Sequence, residues 1–151
     1  MNSYMSVGQN YIKNISKEEK DIFLSILCTL SSIDGKSSES EIEFIEGIAN
    51  DIKYKLKPSH FCLDENFCAH KASYITDRRL SLEITKYMLA LAYTDSSFSD
   101  KEGHFICKIT EALRLEPQKV SEISSWIIDR IVWLEQAYLI FEENNQQKTR
   151  N

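Results

Sequence analysis

The chain has 151 residues and a formal net charge of -5, since 23 acidic side chains outnumber 18 basic ones. That length suits one domain with a sizeable core, and the acidic balance argues against general nucleic-acid binding, which needs a basic surface to displace counterions. Only 4 Gly and 2 Pro interrupt it, and an apolar fraction of 42% with 27% charged residues excludes disorder or collagen-like structure for most of its length.

Residues 1–20 are polar and hold no apolar core of signal-peptide length. Residues 1–15 are expected to form an N-terminal segment carrying at most a short helix. The first helix-period stripe is Ile22, Phe23, Ile26, Leu27, Leu30 and Ile33, preceded by a capping box of Ser16 and Glu19. A second stripe follows at Ile42, Ile45, Ile48, Ala49 and Ile52, and Pro58 punctuates the chain after it. A shorter helix is expected over residues 65–74. Asp77 can cap the next helix, whose stripe is Leu80, Ile84, Tyr87, Met88 and Leu91. Another carries Phe105, Ile106, Ile109 and Leu113. Pro117 fits the first turn of a long final helix, where its missing N–H costs nothing. Residues 142–151 are polar and expected to fray. No segment sustains period-two alternation, so the expectation is an all-α domain over residues 16–141, of about seven helices and no sheet. No apolar run approaches the roughly 20 residues that span a bilayer, and the most apolar stretch, 126–141, is broken by Asp129, Arg130 and Glu135. A cytoplasmic location without membrane insertion is expected.

Four cysteines occur, Cys28, Cys62, Cys68 and Cys107. Cys28 and Cys107 sit within helix-period apolar patterns, where a reduced thiol packs as a small hydrophobe. Disulfides are not expected in a reducing compartment. Cys62 and Cys68 are flanked by His60 and His70 as H-x-C-x5-C-x-H, four zinc-competent ligands. Strong zinc patterns place paired ligands closer, so packing cysteines with surface histidines is the main reading and a zinc site the alternative.

An internal repeat is the most informative feature. The run from Asp34 through Gly35, Ser38 and Glu39 to Glu41 recurs, altered, from Asp95 through Ser99 and Asp100 to Glu102, at an offset of 61. At the same offset Leu27 falls on Met88, Leu30 on Leu91, Phe44 on Phe105, Ile45 on Ile106, Ile48 on Ile109 and Ile52 on Leu113. Two helix–loop–helix hairpins sharing one core follow from this pattern. Gly35 can end the first helix in a left-handed conformation. Ser38 with Glu41, and Ser99 with Glu102, read as capping boxes, and Glu39 and Asp100 suit a positive helix N-terminus. Asp34 and Asp95 instead face the negative ends of helix dipoles and need compensation, from Lys36 or Lys101, from loop amides, or from a cation. An EF-hand does not fit, because neither loop has Gly at its sixth position or Glu at its twelfth. A carboxylate site of another design would use Asp34 and Glu41 across one loop and Asp95 and Glu102 across the other, and would favour Ca²⁺, Mg²⁺ or Mn²⁺.

At these residues the sequence resembles the tellurite-resistance TerB-like family. The resemblance spans roughly residues 17–140 and implies two related helical halves, each built as helix, Asp-Gly-x-hydrophobic-Ser/Asp-x-x-Glu loop and helix. The stretch from Leu80 through the Asp95 loop to Leu115-Glu116-Pro117 looks like the family's second half with its Leu-x-Pro exit. Ser37 stands where an apolar residue is expected, Phe98 keeps that residue in the second loop, and Ser96 replaces the second Gly. The resemblance implies a part in tellurite or other stress responses, membrane-associated complexes, and metal binding by clustered acidic residues at Asp34, Glu41, Asp95 and Glu102.

The last helix carries one apolar stripe at Val120, Ile123, Ile127, Ile131, Leu134, Tyr138 and Phe141, and another at Trp126, Trp133 and Ile140. One face suffices for a surface helix. Burial between the two halves is one explanation, and a dimer or partner interface on the Trp stripe is the other. Phosphate-cradling glycine loops, H-E-x-x-H and a nucleophile elbow are absent, and no activating geometry for Cys62 or Cys68 is visible. The sequence therefore points to a non-enzymatic binding or sensing module, or to an adaptor acting through its C-terminal helix.

Overall fold

A computed structural model describes residues 9–62, 64–94 and 98–142. Seven α-helices follow one another: α1 (Gln9–Ile12), α2 (Lys17–Ser32), α3 (Glu39–Asp51), α4 (Glu65–Ala72), α5 (Arg78–Ala92), α6 (Asp100–Ala112) and α7 (Pro117–Phe141), with a 3₁₀ turn at Pro58–Cys62. Among the described residues there is no strand, so the all-α expectation holds.

Local chemistry starts these helices where the sequence says it should. Ser16, Ser38 and Ser99 each accept a hydrogen bond from the amide three residues on, and Glu19, Glu41 and Glu102 each accept from the serine's own amide. Three complete capping boxes result, satisfying donors that a helix start would otherwise orphan. Asp77 caps α5 by accepting from the Arg79 amide, and Pro117 stands in the first turn of α7. Asp64 caps α4 through the Phe67 amide at 2.7 Å.

The core is organised on α2 and α5, which pack against each other. Every residue from Ile22 to Ser31 on α2 is buried, as are twelve of the fifteen residues of α5. Helix α2 also meets α3, α4 and α6, while α5 meets α6, α7 and α1. The Tyr87 ring lies at the centre, edge-on to Phe23 at 5.4 Å and to Phe44 at 6.5 Å. Each fully buried apolar side chain here contributes about 1.5–3 kcal/mol. Thr85, buried on α5, returns a bond to its own backbone, at the Ser81 carbonyl at 2.9 Å. Helix α1 belongs to the same core, because Ile12 is completely buried.

The correspondence at an offset of 61 extends into features the sequence did not advertise. Helices α3 and α6 both end in a residue of left-handed conformation, Lys53 at φ 54° and Arg114 at φ 61°. The amide of Lys53 donates to the Asn50 carbonyl and that of Tyr54 to Ala49; Arg114 and Leu115 repeat this with Glu111 and Thr110. These are Schellman closures without the usual glycine. Gly35, at φ 126°, is the glycine that does turn the chain after α2. The two loops then diverge in side chains. Ser37 meets the Ser31 hydroxyl at 2.7 Å, which gives that polar residue its place, whereas Phe98 stacks on Tyr93 at 5.3 Å.

Candidate functional site

The acidic loops converge in part. The Ser99 hydroxyl, at the start of α6, donates to Asp34 Oδ2 at 2.5 Å, so the first loop's carboxylate is tied to the second loop's capping box. This answers the unfavourable placement of Asp34 at the end of α2, and it uses none of the compensating groups expected from sequence. Glu102 lies beside the junction and is 8% exposed. Its pKa stands above the ordinary value. Burial is the chief cause, opposed by bonds from Ser99, and the Asp34 charge and carboxyl group push it further up. Glu41 is turned to its own serine, Ser38, through the amide bond at 3.0 Å. Asp95 lies outside the described residues. Of the four carboxylates expected to act together, the structure thus brings Asp34 and Glu102 to one junction. Among the described residues, no group of three or more His, Cys, Asp or Glu side chains is arranged to hold a metal ion.

The His/Cys set is dispersed in environment. His60 is 3% exposed rather than a surface histidine. Its Nδ1 accepts from the Lys57 amide at 3.0 Å, which leaves Nε2 to donate to Asp21 Oδ1 at 2.9 Å. Cys68 is buried against α2, and His70 is exposed, with Nε2 3.1 Å from the Tyr74 hydroxyl. The side chain of Cys62 lies outside the described residues. Burial pushes the Cys68 thiol up to about 11 and the Cys28 thiol up to about 12. Both therefore stay protonated and poorly nucleophilic at neutral pH. Cys107, expected to pack inward, is instead on the exposed face of α6.

Asp21 is a hub that sequence reading missed. It accepts from His60, from the Tyr54 hydroxyl at 3.2 Å and from Lys71 at 3.4 Å, joining α2 to the 3₁₀ turn and α4. Burial alone would raise its pKa, but the His60 bond and charge, with Lys71, outweigh it and hold the carboxyl below the usual range. A cleft of about 530 Å³ opens here, lined by Lys17, Glu18, Asp21, Ile22, Tyr54, Lys71 and Tyr74. Its central carboxylate is already engaged by three partners.

Helix α7 departs most from expectation. It is not enclosed between the halves: Ile127 is its one buried residue among those described. Its first half is anchored by the Arg78–Glu116 pair, with bonds of 3.0 and 2.7 Å, and by Tyr93 with Ser124 at 2.9 Å. Val120, Ile123, Trp126 and Ile131 rest partly buried on the core. Along the same stripe exposure then climbs, from 0% at Ile127 to 37% at Leu134, 64% at Tyr138 and 81% at Phe141. Trp133 at 59% and Ile140 at 65% stand out on the other stripe. The C-terminal half of α7 overhangs the body with both apolar stripes in the open. Among the described residues, no helix is long and apolar enough to cross a membrane.

No family model, curated protein or solved structure matches this chain.

Proposed function

We propose that the chain is a non-enzymatic interaction module that binds a protein partner through the C-terminal half of α7. The observation carrying this reading is the overhang, where the stripe that packs on the core at Ile127 continues into solvent at Leu134, Tyr138 and Phe141. A helix apolar around most of its circumference is normally enclosed, and aromatic side chains of this kind form the centres of protein interfaces. The buried, protonated thiols of Cys28 and Cys68 and the fully engaged Asp21–His60 pair support a role other than catalysis. The test is a photo-crosslinking residue placed at Trp133 or Tyr138 in cells, with Glu111 on the exposed side of α6 as control. Crosslinks from the α7 positions but not from Glu111 are expected. Their absence from α7 would overturn the reading.

A second reading is favoured by one observation, the junction of Asp34 and Glu102 at Ser99. In it the module responds to a divalent cation, and the resemblance to the TerB-like family adds a role in tellurite or stress response. Titration with Ca²⁺, Mg²⁺ and Mn²⁺ followed by thermal unfolding tests it. A shift in the wild type that disappears in Asp34→Asn is expected, and an equal shift in both would sink it.

A further inference from the structure

The overhang of α7 has an area, a composition and a geometry, and together they narrow what covers it. We propose that the partner is a second copy of this chain, its α7 running antiparallel to the first. This rests on the reading of α7 as an interaction surface and specifies the occupant.

Eight apolar side chains between Ile128 and Phe141 are each 37% to 81% exposed. Aromatic side chains present roughly 150–250 Å² each and aliphatic ones somewhat less, so at these exposures the patch amounts to on the order of 1,000 Å². A typical monomer's largest patch is about 300–600 Å², and a standard interface buries about 800 Å² per partner. The patch runs around most of the helix, so an isologous contact reaches the size of a stable dimer when the partner's α7 covers one stripe and the partner's body the other.

Composition points the same way. Between residues 131 and 141 Glu135 is the one charged side chain, while Trp133, Tyr138 and Phe141 are aromatic. Depletion of charge with enrichment of aromatics marks interface cores, and so apolar a surface marks homodimer and permanent interfaces more than transient ones. A surface that needs permanent cover is best served by a partner always made in equal amount, which a second copy is.

Geometry sets the direction. As far as Ile131, the central stripe of α7 is covered by the chain's own body, chiefly α5. Parallel copies facing each other through that stripe would bring both bodies into the space between the helices. Antiparallel copies place the bodies at opposite ends. Each free end then lies along the other and reaches toward the partner's body, which also covers the second apolar stripe.

The experiment is light scattering of the full chain over a concentration series, with Tyr138→Glu/Phe141→Glu as the variant. Both positions are mostly exposed, so circular dichroism should show the helical body retained. A wild-type mass of twice 17.5 kDa, falling to one chain in the double variant, is expected. A wild type that stays at one chain mass at every concentration overturns the proposal, as does a dimer indifferent to the double variant. The crosslinking residue at Tyr138 separates self-association from binding of a different partner. An adduct of two identical chains supports self-association. An adduct of another mass overturns self-association while the interaction reading stands, and no adduct overturns both.

Discussion

The Ser99 hydroxyl accepts from the Glu102 amide at 3.1 Å and donates to Asp34 Oδ2 at 2.5 Å, so one side chain starts α6 and fastens the loop that follows α2. Its counterpart Ser38 caps α3 through the Glu41 amide at 3.2 Å and, among the described residues, otherwise meets Ser40, two residues away. Loss of an N-cap costs about 1 kcal/mol. A charge-assisted bond adds about 1.5–3 kcal/mol more, less where solvent reaches it. Ser99→Ala is therefore expected to lower the urea midpoint more than Ser38→Ala. Equal losses would show that the Asp34 bond contributes nothing.

The same junction has a pH signature. Glu102 has a raised folded-state pKa, through burial first and the Asp34 carboxyl group in addition. A raised carboxyl binds its proton in the folded state before the unfolded one, so falling pH through that folded value favours folding. Glutamine still serves a capping box. Glu102→Gln should match or exceed the wild type in stability at neutral pH, with the wild type gaining on it as the solution is acidified. Asp21 has the opposite sign. Its depressed pKa, set by His60 and Lys71 against burial, stabilises above the unfolded value and is lost as pH falls through the folded one. Asp21→Asn should cost most at neutral pH, with the deficit closing in acid. Urea titrations across the acidic range read both slopes, and parallel profiles for either variant and the wild type would contradict that assignment.

These relationships divide by how local their causes are. The capping boxes at Ser16, Ser38 and Ser99, the Asp77 cap, the Pro117 start and the turn at Gly35 each depend on a few adjacent residues, and all were legible in the sequence. The pairing of Ser99 with Asp34 spans 65 residues and that of His60 with Asp21 spans 39. Packing creates both, so no local pattern announces them. Periodicity identified the apolar stripes of α7, but it measures which residues share a face, not how far the body extends beneath them. The body ends near Ile131, and the remaining turns carry the same stripe into solvent. Cys107 shows the converse, a small residue beside an apolar face that turned outward.

Helix α5 contains a buried ion pair. Glu83 Oε2 lies 2.6 Å from Lys86 Nζ, both side chains under a tenth exposed, and Glu83 Oε1 accepts from Arg79 at 2.9 Å. Burial holds the Lys86 pKa below its ordinary value, with Glu83 pulling the other way. Removing one member of a buried pair costs about 3–5 kcal/mol. Glu83→Ala should approach that range and exceed Lys86→Ala, because only Glu83 serves two cations. Denaturation of the two variants checks the order, and a larger loss in Lys86→Ala would contradict it.

The non-glycine Schellman positions allow a stabilising change. A left-handed conformation costs a non-glycine residue about 1 kcal/mol. Lys53→Gly should relieve that strain, less the backbone entropy glycine adds to the unfolded chain. Arg114→Gly should not gain, because the Arg114 guanidinium donates to the Ile75 carbonyl at 2.7 Å and to that of Ser73 at 3.3 Å. Thermal midpoints should rise or hold for the first and fall for the second. A fall in both would mean that the strain at Lys53 is not what limits stability there.

Amide hydrogen exchange over residues 131–141 of the full chain reads the free half of α7 most directly. An overhanging helix without tertiary packing is marginal in water and exchanges rapidly. If a second copy covers it, these amides should exchange slowly at high protein concentration, lose protection on dilution, and exchange rapidly in Tyr138→Glu/Phe141→Glu. Rapid exchange in the wild type at every concentration, indistinguishable from that variant, would contradict the claim.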